Sequence, residues 1–371
     1  MSTRATVEDT MPTLLDPMSF PRGPTMKNRF MLAPLTNSQS HDNGVLSNEE
    51  QHWLTMRAEG GFGLTMTCAA HVQTLGKGFP GQLGVFGDEH VDGLRRLADG
   101  IAAEGSVSVV QLHHAGMRSP AELIGEAPLC PSADEATGAR ALSHAEVLKL
   151  IDDFVAAAVR SEQAGFDGAE IHGAHGYVVA QFLSPEINRR SDEFGGTVEN
   201  RARMLFAIID GIREQCDPNF LLGVRLSPER FGLRLGEMIE VTKRLLEDQK
   251  IDFLDLSLWD VFKEPEEEAF RGRTLMSWFT ELPRGATRLG VAGNIRSPPD
   301  AERALAAGAD WVMLGRAAIL HHDFPNRYEA DSRFVPSEIP VSREYLANEG
   351  LSDAFIDYMA GWKGFVSEAK G

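Results

Sequence analysis

The sequence predicts an α/β protein built as a single (β/α)8 TIM barrel, and three observations lead to this prediction. Eight short, β-forming apolar segments alternate with amphipathic stretches of helical spacing along the 371 residues. Several of these segments are apolar throughout, as expected of parallel strands that helices cover on both faces. No GxGxxG dinucleotide fingerprint follows an early strand, which disfavours an open, doubly wound sheet.

The helices between the strands have recognisable boundaries at two places. Thr197 is a predicted N-cap, and the apolar residues after it, from Met204 to Ile212, fall on one helical face. Pro298 can begin a helix that Gly308 ends. The eight predicted strands are residues 29–34, 62–67, 107–113, 168–173, 221–227, 253–259, 288–294 and 311–316.

Two connections are too long to be simple crossovers. They are residues 114–142 after the third strand and residues 260–283 after the sixth. Loops at the C-terminal ends of barrel strands are where such barrels place lids and substrate specificity. We therefore expect extended loops at these two places.

The end of the chain is a predicted helical tail. Ser352 can cap a helix that carries Phe355, Tyr358, Met359 and Trp362 at helical spacing. We expect this tail to pack on its own barrel, and the alternative is an interface in a homo-oligomer. Residues 1–18 are predicted to be a flexible N-terminal extension, and residues 19–371 a single barrel that includes the tail.

Composition excludes several classes of function. The chain has 36 basic and 54 acidic residues, a net charge of −18, which argues against nucleic-acid and membrane-surface binding. Cys68, Cys130 and Cys216 form no CxxC pair, so neither a disulfide framework nor a zinc or iron–sulfur site is predicted. Because the sequence shows neither a signal peptide nor a membrane-spanning run, we expect a cytoplasmic protein.

Polar residues concentrate where the predicted strands end. In a parallel barrel these positions share one mouth, where active sites are found. Any single member would ordinarily only satisfy backbone groups, but their coincidence indicates a functional site. The residues are Thr36, Gln111, His113, His114, His172, His175, Arg225 and Trp259.

The most specific local feature is HGAHGY, residues 172–177, directly after the fourth strand. Imidazole N–H groups can bind a carbonyl oxygen as charge develops on it, and a phenol can deliver a proton. The HxxH spacing could also be half of a metal site or two loop histidines without a catalytic role. Spacing alone leaves these three interpretations open.

The seventh and eighth strands end in a predicted phosphate site. Gly293 and Gly315 each precede a helix, and Arg316 adds a cation, the usual arrangement for phosphate in such a barrel. Arg225 ends the fifth strand, where a buried guanidinium needs an anionic partner, either a ligand or an acidic neighbour such as Asp255. A phosphate site beside an arginine, a glutamine and a threonine predicts FMN.

Residues 20–365 resemble the Old Yellow Enzyme family of FMN-dependent ene-reductases. The motifs that carry the resemblance occur in the family's order. They are KNRFMLAPLT at 27–36, QLHHAG at 111–116, HGAHGY at 172–177, QFLSPEINRRSDEFGGTVENRARM at 181–204 and the two glycine turns at 293 and 315.

The resemblance implies a non-covalent FMN and NAD(P)H as reductant. It places Gln111 on the flavin's pyrimidine edge and Arg225 beside the negative charge of the reduced ring. The phosphate would be held by Gly293, Asn294, Gly315 and Arg316, and the flavin would be lined by Ala33, Pro34, Leu35, Thr36 and Ala69.

The resemblance also implies the reaction. His172 and His175 would bind the carbonyl oxygen of an α,β-unsaturated substrate, and Tyr177 would protonate the α-carbon after hydride transfer to the β-carbon. NAD(P)H would reduce the flavin in the same pocket, which gives ping-pong kinetics. The partners are therefore an enone-type substrate and a nicotinamide nucleotide, and a homo-oligomer is possible.

The chain departs from the family pattern at several positions. Ser38 stands near the place where one branch has a tyrosine, so Trp259 and Trp278 are candidate substrate contacts in its place. The HHAGMR stretch carries one residue more than the expected HAGR form, which leaves the role of Arg118 open.

Two other functions compete with ene reduction. The nearer one is oxidative demethylation or dehydrogenation of an amine by another branch of the same family. The more distant one is a metal-dependent barrel hydrolase or aldolase that uses the histidines, but APLTNS at 33–38 supplies no first-strand ligand, and no metal site is predicted.

Overall fold

A computed structural model describes residues 12–367, and in it eight parallel strands close into a barrel. Every strand pairs with its sequence neighbours, and the first strand closes the ring by pairing with the eighth. All eight predicted strands are present, so the predicted fold class is confirmed. The strands are β1 Phe30–Leu32, β2 Leu64–His71, β3 Val107–His113, β4 Gly168–Gly173, β5 Leu221–Leu226, β6 Phe253–Ser257, β7 Arg288–Ala292 and β8 Trp311–Leu314.

The interior of the barrel and its outer layer are two separate apolar clusters. Large side chains such as Phe253 and Trp311 fill the inside, and the faces of the strands that point outward pack against the helices. This double coverage explains why the strand sequences are apolar throughout.

The N-terminal residues are part of the barrel's packing. Met18 and Met26 exchange backbone hydrogen bonds of 3.0 and 2.9 Å, and both side chains join the interior cluster. Leu14 is buried, and its carbonyl accepts the Arg29 N–H at 2.8 Å. Residues 12–18 of the predicted extension therefore pack against the barrel, residues 1–11 lie outside the described residues, and the division into domains stays a prediction.

The helices begin where polar caps allow. Thr197 Oγ1 accepts the Asn200 N–H, and Ser297 and Asp300 form a reciprocal capping box, so both predicted helix starts are confirmed. The helices are Asn48–Glu59, Val91–Ala103, Ala121–Ile124, His144–Gln163, Val178–Leu183, Val198–Gln215, Leu235–Asp248, Ser277–Thr280, Pro298–Ala306, Arg316–Leu320, Phe324–Ala330, Arg343–Asn348 and Asp353–Ala360.

The two long connections fold into small elements of their own. The loop after β3 contains the 3-10 turn Gly116–Arg118 and a two-stranded parallel sheet, Leu129–Cys130 with Arg140–Ala141. The loop after β6 contains the 3-10 turn Glu268–Phe270. Both loops stand at the C-terminal ends of their strands, as predicted.

The C-terminal helix packs on its own barrel. Ser352 caps it, and Phe355 is fully buried with its ring 5.3 Å from that of Trp53. Tyr358 and Trp362 keep 36% and 45% of their surface exposed because they face the mouth of the barrel. The predicted packing is confirmed, and the oligomeric alternative stays untested.

Two further sequence predictions concern cysteines and membranes. Cys68, Cys130 and Cys216 are free and buried. Among residues 12–367, no helix combines the length and the apolar character that crossing a membrane requires.

Candidate active site

Two adjoining cavities open at the C-terminal ends of the strands. The inner one has a volume of about 190 Å³ and the outer one about 620 Å³. They share a wall of five residues: His175, Tyr177, Arg316, Tyr358 and Trp362. Most of the site residues predicted from the sequence line one or both of these cavities.

The HGAHGY turn aims its side chains into the inner cavity by an uncommon backbone conformation. His175 and Gly176 have φ angles of 59° and 72°, two successive left-handed residues. A Cβ on Gly176 would lie 2.7 Å from the Phe231 ring, so glycine is required there on two grounds. The turn brings the His172 and His175 rings to a centroid distance of 5.0 Å.

Both histidines are neutral hydrogen-bond donors. Burial lowers the pKa of His175 to about 3, with nearby Arg225 contributing, and burial lowers the pKa of His172 well below its usual value. Nδ1 of His172 accepts the Ala174 N–H at 3.2 Å, so Nε2 carries the ring proton. An Nε2–H in a polar cavity can donate to a carbonyl oxygen without adding a net charge.

Tyr177 stands at right angles to this pair. Its ring centroid lies 5.0 Å from that of His172 and 4.4 Å from that of His113. Burial raises the pKa of the phenol, which therefore keeps its proton at neutral pH. The group can donate that proton to a base formed beside it.

The loop after β3 supports the tyrosine from outside. The Arg118 guanidinium lies 4.9 Å from the centre of the Tyr177 ring and donates to the backbone carbonyl of His175. Gln181 donates to the carbonyls of Ala115 and Gly176, at 3.2 and 2.8 Å. These contacts join the β3 and β4 loops, and they assign Arg118 a place at the outer mouth that its sequence context left open.

The floor of the inner cavity fits a flat hydrogen-bonding ring. Pro34, Leu35, Thr36 and Ala69 line it, together with Gln111. Gln111 uses one N–H to donate to Glu170 Oε1 at 2.6 Å, so the carbonyl and the second N–H of its amide are left for a ligand. This donor and acceptor set suits the pyrimidine edge of a flavin.

Arg225 is a buried cation that faces a ligand. It is 5% exposed, its Nε donates to Ser257 Oγ at 2.7 Å, and none of its nitrogens lies within 4.0 Å of a carboxylate among residues 12–367. Asp255 is its partner in the β5–β6 register, but the ion pair that the sequence left open is not formed. An anionic group bound in the outer cavity would balance the positive charge of this guanidinium.

The β7 and β8 ends make an anion cradle. Gly293 has φ 153°, and a Cβ there would lie 2.9 Å from the backbone of Trp259 and Asp260. Arg316 lines both cavities, burial and nearby Arg296 lower its pKa, and it forms no ion pair among residues 12–367. A dianionic phosphate fits this set of groups.

Several predicted residues lie elsewhere. Ser38 and Trp278 do not line either cavity: the Ser38 backbone packs against Gly81, and Trp278 donates to the Phe270 carbonyl at 3.0 Å. Trp259 does line the outer cavity, with its ring 4.5 Å from the Arg230 guanidinium. Ala33 and Gly315 lie beside the cavity wall, where Ala33 pairs with β8 and a Cβ on Gly315 would lie 3.4 Å from Leu35.

Sequence reasoning missed the contribution of the C-terminal helix to the site. Tyr358 and Trp362 line both cavities, and Met359 lines the inner one. The four-residue spacing of Tyr358 and Trp362 is visible in the sequence, but Phe355, Ile356 and Met359 make the buried contacts of the helix, and the spacing does not indicate that the two aromatic residues reach the barrel mouth.

The fold and these cavities define a flavin-dependent oxidoreductase of the barrel class, and comparison with known proteins agrees. The sequence profile of the NADH:flavin oxidoreductase / NADH oxidase family matches residues 13–333. A probable NADH-dependent flavin oxidoreductase of Bacillus subtilis (strain 168) is 35% identical over 83% of this chain and 85% of its own. An NADH:fumarate oxidoreductase of Klebsiella pneumoniae (strain 342) is 33% identical over 85% of this chain, which spans 36% of that longer protein.

Solved structures show the same relationship. The old yellow enzyme homologue from Zymomonas mobilis superimposes with a TM-score of 0.79 at 28% identity, over 94% of this chain and 99% of that one. This chain therefore belongs to the Old Yellow Enzyme family, as its motifs implied. It is an NAD(P)H-dependent oxidoreductase with FMN as its cofactor.

Proposed function

We propose that the enzyme is an ene-reductase that reduces the C=C bond of α,β-unsaturated carbonyl compounds with hydride from NAD(P)H. The observation that carries the proposal is the trio of His172, His175 and Tyr177, which line the inner cavity together. Two neutral imidazoles beside a protonated phenol supply two hydrogen-bond donors for an oxygen and one proton for a carbon.

The residues of the chain divide the work of the reaction. The His172 Nε2–H and the His175 ring donate to the substrate's carbonyl oxygen, and these hydrogen bonds strengthen as negative charge develops on that oxygen. Tyr177 delivers its proton to the α-carbon, and bulk water reprotonates it through the outer cavity. When bound, FMN would supply the redox chemistry, the transfer of hydride from NAD(P)H to the β-carbon.

The residues that would hold the cofactor are those already placed around the cavities. Gln111 and Thr36 would bind the ring edge, and Arg225 would balance the charge of the reduced ring. Arg316 with the Gly293 and Asn294 backbone would hold the phosphate. Ping-pong kinetics are expected because NAD(P)H and the alkene would both have to reach the flavin from the same cavities and would therefore bind in turn.

A relative supports the substrate class. It is named an NADH:fumarate oxidoreductase, and fumarate is a C=C bond conjugated to two carbonyl groups. For this chain we propose the wider class of activated alkenes.

Amine oxidation is the alternative, and the site chemistry disfavours it. An amine substrate is cationic, whereas no acidic side chain among residues 12–367 lines either cavity. A cation would find no counter-charge there, while the neutral imidazoles of His172 and His175 are hydrogen-bond donors that suit a carbonyl oxygen.

The test compares two assays: turnover of 2-cyclohexenone and maleimide with NADPH or NADH as reductant, and turnover of N-methylated amino acids with an artificial electron acceptor as oxidant. We expect the two alkenes to be reduced and the amines to be inert. In His172→Ala, alkene turnover should fall about 10²-fold while FMN stays bound, since one oxyanion donor is lost. Turnover of the amines alone would reject ene reduction, and an unchanged His172→Ala enzyme would reject the role of that imidazole.

A further inference from the structure

Beneath the active site, four consecutive strands each direct one polar side chain into the barrel. Gln111 on β3 pairs in register with Glu170 on β4, and Arg225 on β5 pairs in register with Asp255 on β6. Gln111 and Arg225 line the cavities, whereas Glu170 and Asp255 lie below them and are 0% exposed. The two acids contact neither solvent nor the cavity space, so solvation does not account for them.

The two carboxyl groups also lack donors. Glu170 Oε1 accepts from Gln111, but Glu170 Oε2 and both oxygens of Asp255 accept from no donor among the described residues. The two side chains lie within hydrogen-bonding reach of each other. Two buried carboxylates side by side, with three oxygens unsatisfied, would be prohibitively costly. A single proton held between Glu170 and Asp255 removes one charge and supplies the missing hydrogen bond.

We propose that Glu170 and Asp255 form a proton-sharing pair with one negative charge, which positions Gln111 and balances the charge of Arg225 under the flavin. With the pair at −1 and Arg225 at +1, the interior is neutral while the flavin is oxidised. The pair therefore sets how strongly Arg225 favours the reduced, anionic ring.

Electrostatics agree with the geometry. Burial raises the pKa of both carboxyls, and the hydrogen bond between them lowers the pKa of Glu170 while it raises that of Asp255. Both carboxyls therefore favour the protonated form, and one proton shared between them meets this demand while leaving one negative charge. The other groups facing the pair are Arg225 from β5, Gln111 from β3 and Trp311 from β8, whose indole N–H has no partner among residues 12–367.

The charge count makes a non-additive prediction. In Asp255→Asn the Glu170 carboxylate keeps the negative charge, and in Glu170→Gln the proton leaves Asp255, so each single variant stays at −1. In the double variant the charge is gone, and Arg225 acts on the flavin uncompensated. Reduced FMN, which is anionic, should then bind more tightly relative to oxidised FMN.

The experiment is the midpoint potential of the bound FMN, measured at one pH in wild type, E170Q, D255N and E170Q/D255N. We expect each single variant to change the ratio of affinities for reduced and oxidised FMN by less than about twofold, which corresponds to a shift of the midpoint potential of roughly 10 mV or less. The double variant should raise this ratio at least about tenfold, which corresponds to a rise of the midpoint potential of roughly 30 mV or more. This inference rests on FMN binding, not on the proposed substrate, and the potential is measured without any alkene.

Two outcomes overturn the proposal. If each single variant raises the midpoint potential by a similar step, both carboxyls of the wild-type pair are ionised. If the double variant has the same midpoint potential as wild type, the wild-type pair carries no charge. Asp252→Asn is the matched control, because Asp252 is equally buried just before β6 but ion-paired with Arg22 and Arg213, and it should leave the potential unchanged.

A second measurement keeps the test decisive if the double variant does not fold. The infrared band of the protonated carboxyl should appear in the difference between wild type and D255N. The same band should appear in the difference between wild type and E170Q, because the proton leaves Asp255 when Glu170 is replaced. If the band is missing from either difference spectrum, wild type against D255N or wild type against E170Q, the two carboxyls do not share a proton.

Discussion

Replacing Tyr177 by phenylalanine removes one hydroxyl group and leaves the ring in place. The ring contacts with His113 and His172, at 4.4 and 5.0 Å, do not involve the oxygen, so packing and substrate binding should persist. What is lost is the proton for the α-carbon. The effect should therefore fall on the half-reaction in which the alkene is reduced.

The size of that effect follows from the surroundings of Tyr177. A positioned general acid contributes about 10²- to 10⁴-fold to a rate. Tyr177 also faces the outer cavity of about 620 Å³, through which water can reach the α-carbon and partly replace the phenol. We therefore expect a loss near the lower limit, about 10²-fold, which corresponds to roughly 2.7 kcal/mol of transition-state stabilisation.

Anaerobic stopped-flow absorbance separates the two half-reactions. Flavin reduction by NADPH should change less than about threefold in Tyr177→Phe, since that step takes no proton from Tyr177, while flavin reoxidation by 2-cyclohexenone should slow about 10²-fold. Tyr358→Phe is the matched control, because Tyr358 lines the same two cavities. This variant should leave the rates of both half-reactions nearly unchanged. A large loss in Tyr358→Phe with a normal Tyr177→Phe would refute the assignment of the proton donor.

Three further predictions follow from the site and the fold. Arg225→Gln should weaken FMN binding about tenfold or more, measured by fluorescence titration of the apoprotein, because it removes a 5%-exposed cation that has no carboxylate within 4.0 Å among residues 12–367, and unchanged affinity would contradict its contact with the flavin. Thr197→Ala should lower the free energy of unfolding by about 1 kcal/mol in urea without affecting activity, since Thr197 caps the helix Val198–Gln215, and an equal loss of activity would contradict a purely structural role. Burial lowers the pKa of His71 to about 4 and those of His114 and His175 to about 3, so the unfolded chain takes up protons on these histidines more readily than the folded protein does. The free energy of unfolding should therefore fall as the pH drops from about 6.5 towards 4, by up to about 1.4 kcal/mol per pH unit for each histidine. His114→Gln should make the free energy of unfolding depend less steeply on pH.

The barrel was predictable because its pattern is local. Each strand is a short apolar run between turn residues, and the helix caps at Thr197, Ser297 and Ser352 act within three residues of themselves. The three proposed catalytic residues could be predicted from the sequence for the same reason. His172, His175 and Tyr177 lie within one six-residue turn whose left-handed φ angles aim them together.

The rest of the site depends on contacts between distant parts of the chain. Tyr358 and Trp362 reach the cavities because the C-terminal helix crosses the barrel mouth, which helical spacing alone does not indicate. Arg118 lies over Tyr177 because Gln181 joins two loops. Trp278 lies outside both cavities because its indole packs within its own loop, 5.2 Å from the Phe270 ring.

The acidic pair inside the barrel also depends on contacts between distant parts of the chain, which the local sequence pattern does not show. Glu170 and Asp255 are 85 positions apart, and each looks unremarkable within its own apolar strand. Strand register places Glu170 against Gln111 and Asp255 against Arg225, and closure of the barrel buries both acids completely. Only the assembled sheet shows that they need a shared proton.

The visible spectrum of the purified protein during an anaerobic titration tests the central claim most directly. The account predicts a yellow protein that loses its flavin absorbance when NADPH or NADH is added and regains it when 2-cyclohexenone follows, with formation of cyclohexanone. A flavin that is bleached by the nicotinamide but not reoxidised by enones or maleimide would contradict ene reduction.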